Sequence, residues 1–463
     1  MQYRFVYFVG IGGIGMSALA RWFNVNGYDV AGYDRTPSPL TNALENEGIA
    51  IHFDDDISAI PARFLAQPTQ TLVVYTPAIP KDHSEFNYLN NNGFEIQKRS
   101  QVLGLLAKNM LTVAVAGTHG KTSTSALIAH IIKDSGVNCA AFLGGITQNY
   151  QSNFLLNQPA DDLSKVPCVV EADEFDRSFL TLFADIAVVT STDADHLDIY
   201  GNHHEMLNTF GDFVGQIKPT GIFFMHADLD LAGRSLARVV RYGINAQSGV
   251  MATNVRIENA HFVFDLTYES TKMESIVMQV PGFHNVENAA AAVGVALELG
   301  INEAQIRKAI ATFKGIKRRF EYHLKKDSVV QIDDYAHHPT EITAFLTSVR
   351  ALYPGRKITA VFQPHLFSRT RDFAAGFAES LSLADSLILL DIYPAREQPI
   401  DGVNSQLILG QVTIADKQLS TKTDLLEILK RQPTDVVVTI GAGDIDRLIE
   451  PIKQVLLQKT TAQ

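Results

Sequence analysis

Two glycine-rich turns constrain this chain more than any other feature. "VGIGGIG" (Val9–Gly15) and "AGTHGKTS" (Ala116–Ser123) each follow an apolar run and open a helical pattern. Such strand–turn–helix units belong to parallel α/β sheets. The alternation continues along the chain. "DVAGYD" and "TLVVYTPAI" extend the first set of strands. "LTVAVAG", "CVVEAD" and "DIAVVTS" form a second set, and "DSVVQIDDYAHHP", "KITAVFQPH", "DSLILLDIYP" and "DVVVTIGAGD" form a third. Between Val250 and Gln279 the pattern changes to "ATNVRIENAHFVFDLTYE" and "SIVMQV", which reads as antiparallel hairpins in a side sheet. The 463 residues suit more than one core, at about 100–200 residues per domain. Three α/β domains are expected, over residues 1–105, 106–317 and 318–463.

Composition narrows the partners. A net charge of −11, with no basic block, argues against a nucleic acid or an anionic membrane as the main ligand. No apolar run reaches 18 residues and no leader pattern precedes "RFVYFVG", so a cytoplasmic protein without a membrane span is expected. The two cysteines, Cys139 and Cys168, sit beside apolar runs and read as buried free thiols.

The first turn fits G-x-G-x-x-G through Gly10, Gly12 and Gly15, with Gly13 between. Asp34 stands 19 residues after Gly15, at the end of the next strand. Glycines let the backbone approach a diphosphate at a helix N-terminus, and an acid at that position meets a ribose hydroxyl. A dinucleotide and a UDP-sugar present the same groups, so both remain open at this point. The second turn, Gly117-Thr118-His119-Gly120-Lys121-Thr122-Ser123, is a shortened phosphate loop. Its backbone and Lys121 suit ATP phosphates, and the Thr122 hydroxyl suits Mg²⁺. Two such turns on two domains imply one ligand as fuel and another as substrate, with the chemistry between the domains.

Other candidates sit at strand ends. "VVEADEFDRSF" puts Glu171 and Asp173 at the C-terminal end of a buried strand, and carboxylates there suit Mg²⁺. "TSTDADHLDIYG" supplies His196 among acids. "PGFHNVENAAAA" places His284, Asn285 and Asn288 at a helix start, where capping is the plain alternative. "KRRFEYH" brings Arg318 and Arg319 to the entry of the third domain. "IDDYAHHPTEI" and "VFQPHLFSRT" bring Asp334, His337, His338, His365 and Arg369 towards one edge, suited to a small anionic substrate.

Together these motifs resemble the Mur ligases, the ATP-dependent amide-bond enzymes of peptidoglycan synthesis. "GIGGIGMSALA", "GTHGKTSTSA", "VVEADEFDRSFL", "DADHLDIYG", "PGFHNVENA", "RRFE", "DDYAHHPTEI", "FQPH", "SRT", "DIYPAREQPI" and "GAGDI" occur in the family's order over nearly the whole chain. The resemblance implies an N-terminal Rossmann-like domain for the UDP-sugar, a central P-loop ATPase-like domain with a small antiparallel side sheet, and a C-terminal Rossmann-like domain for the amino acid. It implies that L-alanine is joined to the carboxylate of UDP-N-acetylmuramate through an acyl phosphate, with ATP and Mg²⁺. Carried over by residue, Lys121 would hold phosphates, and Thr122, Glu171 and His196 would serve the metal. His284, Asn285 and Asn288 would lie at the adenosine, with Arg319 and Asp334 also reaching ATP. His337, His365 and Arg369 would receive L-alanine, and the first loop with Asp34 would hold the UDP portion. A monomer or weak homodimer is expected.

Two positions depart from the family pattern. Ser191 stands where Asn is frequent, and Leu366 where Arg is frequent, which shifts weight onto Arg369. Three other readings compete: a recycling ligase that adds a tripeptide to the same nucleotide sugar, an NAD-dependent oxidoreductase, and a non-catalytic UDP-sugar-binding regulator. The oxidoreductase leaves Lys121 and the third domain unexplained. The regulator leaves Lys121, Glu171 and His196 unexplained.

Overall fold

The computed structural model describes residues 3–157, 163–195, 197–244, 246–395 and 397–461. Among these residues the strands form three sheets. The first contains β1 (Phe5–Val9), β2 (Asp29–Tyr33), β3 (Ala50–His52), β4 (Thr71–Tyr75) and β5 (Glu95–Lys98), in the order β3-β2-β1-β4-β5. Every pairing in it is parallel. The order reverses between β1 and β4, which opens a crevice beyond their carboxyl ends.

The second sheet is built on β6 (Leu111–Ala116), β7 (Ala140–Phe142), β8 (Phe154–Leu156), β9 (Pro167–Glu171), β10 (Ile186–Val189), β11 (Ile222–His226) and β12 (Arg238–Ile244). Its remaining strands are β13 (Val250–Glu258), β14 (His261–Tyr268) and β15 (Thr271–Met278). The order is β15-β14-β13-β12-β11-β10-β6-β9-β7-β8, so the expected hairpin strands extend the edge of the central sheet. Strand β6 pairs in parallel with β9 and β10, and its Val113–Ala116 stretch is fully buried. A parallel strand covered on both faces has no solvent side, which is why "VAVA" shows no polar alternation.

The third sheet comprises β16 (Glu321–Lys325), β17 (Val330–Asp334), β18 (Ile358–Phe362), β19 (Ser386–Leu389), β20 (Lys417–Leu419) and β21 (Val436–Ile440). Its order is β16-β17-β21-β18-β19-β20, antiparallel only at β16–β17.

The chain divides into two compact units: residues 1–253, 265–274 and 287–313, and residues 254–264, 275–286 and 314–463. Residues on both sides of position 105 therefore share one unit. The reason lies in non-local packing. Buried Arg21, in helix Ile14–Val25, bonds both Glu47 and Asn153, and the Asn153 amide donates to Ser17 Oγ at 3.0 Å. Helix Arg99–Ala107 packs closely at Gly104, where a Cβ would lie 2.6 Å from the Thr181 carbonyl oxygen. Cys139 and Cys168 are buried free thiols, as expected. Among the described residues no helix is long and apolar enough to cross a membrane.

Candidate active site

In the first unit, β6 delivers the chain into Gly117–Gly120, and helix Lys121–Asp134 follows at once. Gly120 caps that helix at φ +80°, a left-handed conformation that costs an L-residue about 1–2 kcal/mol. A Cβ there would also lie 2.9 Å from Asn288 Oδ1. The loop is braced by the end of β10. Ser191 Oγ accepts from the His119 N–H at 2.8 Å, and the Ser191 carbonyl accepts from the Thr118 N–H at 3.1 Å. Thr190 Oγ1 donates to the His119 carbonyl. These contacts engage two loop N–H groups. The first helical turn, Lys121 to Ser123, still directs N–H groups that lack acceptors within the helix, the usual anion seat.

Lys121 Nζ donates to the Gly117 carbonyl at 2.6 Å and lies 2.7 Å from Glu174 Oε2. Burial pushes its pKa down, but Glu174, Asp173 and Glu171 outweigh that, and the net shift is upward. The ammonium is thus held charged. Thr122 Oγ1 donates to Glu171 Oε1 at 3.0 Å, and the Gly144 N–H donates to Glu171 Oε2 at 2.9 Å. Burial raises the Glu171 pKa against the opposing pull of Lys121. A hydroxyl and a half-buried carboxylate in contact are hard oxygen donors beside a phosphate loop, and they fit a divalent cation. Among the described residues no group of three or more His, Cys, Asp or Glu is poised around a metal. His196, expected at the metal, lies outside the described residues.

Asn288, buried, accepts from Thr124 Oγ1 at 3.0 Å and so sits at the phosphate loop's helix. Asn285, in the second unit, donates its side-chain amide to the Pro281 carbonyl at 2.7 Å, a bond back to the chain just before its helix and not an N-cap. His284 stands beside Gly282, where a Cβ would meet its ring at 2.7 Å.

The first loop borders a recess of about 730 Å³ at the β1–β4 crevice. Gly10, Gly12, Gly13 and Asp34 line it, together with Tyr33 and His83. Asp34 Oδ2 accepts from the Gly12 N–H at 2.7 Å, so the acid also fixes the loop. Gly15 is not part of that lining. A Cβ on Gly15 would lie 2.9 Å from Arg99 Nη1, so this glycine makes room for an arginine far along the chain.

The second unit gathers its own cluster at the carboxyl edge of the third sheet. Asp334 ends β17 and accepts N–H bonds from Phe320 and Ala336, both at 2.8 Å. Burial pushes it up to about 6, with Arg319 pulling the other way. Arg319 lies 3.4 Å from Glu341, whose other oxygen accepts from the His337 N–H at 2.9 Å. Burial pushes His337 down to about 4, and the Arg369 charge adds to that. The imidazole is therefore neutral at pH 7. His337 and His365 rings are 6.1 Å apart, and His365 stacks on Tyr393. Arg369 is buried in helix Phe367–Asp372. Arg318 braces the sheet edge instead, pairing with Asp333 at 3.1 Å and donating to the Gly441 carbonyl at 2.6 Å. His338 serves as a helix cap, its Nδ1 accepting from the Thr340 N–H at 3.3 Å.

Sequence reasoning missed Glu174, Gly144, Glu341 and Glu397. Glu174 stands within "EADE", and its spacing from Glu171 was the available signal. Glu397 accepts from both the N–H and the hydroxyl of Ser368, at the start of the helix that carries Arg369.

Comparison with known proteins supplies the lineage. The Mur ligase family catalytic domain matches residues 5–110, the Mur ligase middle domain 115–296, and the Mur ligase glutamate ligase domain 318–443. The UDP-N-acetylmuramate–L-alanine ligase of Cytophaga hutchinsonii is 48% identical, over 98% of this chain and 97% of the relative. That of Flavobacterium johnsoniae is 49% identical, over 98% of each chain. The crystal structure of UDP-N-acetylmuramate-alanine ligase from Thermotoga maritima superposes with a TM-score of 0.80, at 26% identity and 99% coverage of both chains. A murein peptide ligase from Psychrobacter arcticus, 23% identical over 98% of both chains, shares the fold with a TM-score of 0.70. Two phosphate-type loops, a strand-end carboxylate and three matching domain models converge on one lineage: the chain belongs to the Mur ligase family.

Proposed function

We propose that this protein joins L-alanine to the carboxylate of UDP-N-acetylmuramate, at the expense of ATP, in peptidoglycan precursor synthesis. The observation that carries the reading is near-complete alignment, at about half identity, with relatives bearing that activity in their names. The site geometry supports it. Lys121, held charged beside the Gly117–Gly120 turn, offsets phosphate charge. Thr122 and Glu171 would hold Mg²⁺, which supplies charge neutralisation at the transferring phosphoryl group. Asn288, with His284 and Asn285, would attend the adenosine, and Arg319 and Asp334 would also contact ATP. The recess at Gly10, Gly12, Gly13 and Asp34 takes the UDP portion.

In the second unit Arg369 offers a fixed charge to the amino acid's carboxylate. His337, neutral at pH 7, accepts a hydrogen bond from its amine. Phosphorylation of the muramyl carboxylate gives an acyl phosphate. Attack by the amine forms the amide, and phosphate leaves with the carboxyl oxygen. The test is phosphate release with UDP-N-acetylmuramate and ATP, scanned over single amino acids and a muropeptide tripeptide. Release with L-alanine is expected. Release with the tripeptide alone would assign the recycling reaction instead, and no release with any acceptor would refute the ligase reading.

A further inference from the structure

The geometry points to Arg99 as the group that receives the muramyl carboxylate of the nucleotide sugar. This assignment rests on the ligase reading above. Arg99 opens its helix directly after β5, at the carboxyl edge of the first sheet, where ligands bind in open α/β folds. Its guanidinium lies over Gly15, in the first turn of the helix that follows the nucleotide loop. A Cβ on Gly15 would stand 2.9 Å from Nη1 and 3.0 Å from Cδ. On its other side Nη2 lies 3.5 Å from Asp173 Oδ2. Asp173 stands between Glu171, the partner of Thr122, and Glu174, the partner of Lys121. One side chain thus spans from the sugar-nucleotide loop to the acids beside the phosphate loop. A carboxylate lying between the two loops would meet this cation.

Two further observations favour a ligand over a brace. The Arg99–Asp173 contact is long and its side chains are 21% and 41% exposed, and such pairs contribute little to stability. The helix is already anchored without it: Thr181 Oγ1 donates to the Ser100 carbonyl at 3.0 Å, and Gly104 packs against Thr181. Arginine keeps its charge at all working pH, and its planar fork matches a carboxylate in two parallel bonds. The Asp173 carboxylate, 3.5 Å from Nη2, shows that an anion can stand beside this guanidinium.

Isothermal titration of the full chain with UDP-N-acetylmuramate and with UDP-N-acetylglucosamine, which lacks the lactyl carboxylate, tests this. The wild type should prefer the first sugar. Arg99→Gln should erase that preference, weakening UDP-N-acetylmuramate by about 10- to 100-fold and leaving the other sugar within about twofold. Arg99→Lys, which keeps the charge and loses the fork, should fall between, and serves if the Gln variant does not fold. Equal losses for both sugars would assign Arg99 to the diphosphate or to a structural role and overturn the proposal. So would unchanged preference, or a wild type that binds both sugars equally. A wild type that binds neither sugar would instead sink the ligase reading itself.

Discussion

Lys121 and Glu174 form a pair whose removal separates stability from catalysis. The two side chains are 13% and 1% exposed, and Nζ lies 2.7 Å from the carboxylate. Lys121→Met removes the cation but leaves the Glu174 charge in the protein interior. Breaking a buried pair this way costs about 3–5 kcal/mol, whereas replacing both partners is often near neutral. We expect about 3 kcal/mol for Lys121→Met, at the lower end of that range, because Lys121 keeps some exposure to solvent. The double variant Lys121→Met/Glu174→Gln should recover at least half of that. Raised pKa on Lys121 sets the sign with pH: its contribution is complete below the usual lysine value of 10.5 and is lost as pH rises through the higher folded value. Urea unfolding at pH 7, followed by far-UV circular dichroism on the first unit's transition, therefore reads the full effect. Coupled phosphate release should be abolished in both variants, since neither restores a charge at the phosphate loop. A single variant within about 0.5 kcal/mol of wild type, the range of ordinary surface changes, would refute the buried-pair argument. A double variant that regains turnover would refute the role of Lys121.

Three other outcomes follow from the second unit. Arg369→Lys should raise KM for L-alanine by roughly 10- to 150-fold, the cost of a lost charged hydrogen bond, while KM for ATP and UDP-N-acetylmuramate stay near wild type; an equal rise for all three in steady-state kinetics would count against it. Glu397→Ala should release Ser368 and raise KM for L-alanine more than it lowers kcat, with Glu397→Gln milder; a change only in melting temperature would mean that the contact serves stability alone. His337 and Asp334 act oppositely with pH. His337, pushed down to about 4, binds fewer protons folded than unfolded, so its contribution is present above pH 6.5 and lost as pH falls towards 4, by up to about 3 kcal/mol. Asp334, pushed up to about 6, contributes fully below pH 3.8 and loses that contribution as pH rises through 6. His337→Gln should therefore leave the Asp334 effect uncompensated, and the variant should gain stability relative to wild type between pH 6 and 4. Parallel stability profiles for the two proteins would contradict these assignments.

What was legible in the sequence is what local pattern encodes. Glycines between an apolar run and a helical run must make a tight turn, so Gly117, Gly120 and Lys121 fall where spacing puts them. The strand-end rule likewise places Glu171 and Asp334 at the carboxyl ends of their strands, with His337 just beyond. What escaped depends on which distant residue packs against each turn. Gly15 reads as part of a diphosphate fingerprint, yet its bare Cα is where Arg99 lies, and only tertiary structure brings them together. Position 105 lies in helix Arg99–Ala107, between the strands of the first and second sheets, and Arg21–Asn153 and Gly104–Thr181 join both sides into one unit; periodicity carries no trace of such pairs. Glu174 was visible as one acid among several; nothing local says which of them turns to Lys121.

The two departures from the family pattern show the same divide. At Ser191 the side chain itself is used: its hydroxyl oxygen accepts from the His119 N–H and lies 2.9 Å from Thr118 Oγ1, bracing the loop that follows β6. At Leu366 the backbone is used. The residue sits at φ +70°, its N–H donates to the Tyr393 carbonyl at 3.0 Å, and the next turn is fastened by Glu397 through Ser368. These contacts hold the path from His365 to Arg369 through backbone and Ser368 hydrogen bonds. The stacked Tyr393 ring orients His365 from the neighbouring strand end. With an uncharged side chain at position 366, the proposed recognition of a carboxylate here would rest on the one guanidinium of Arg369.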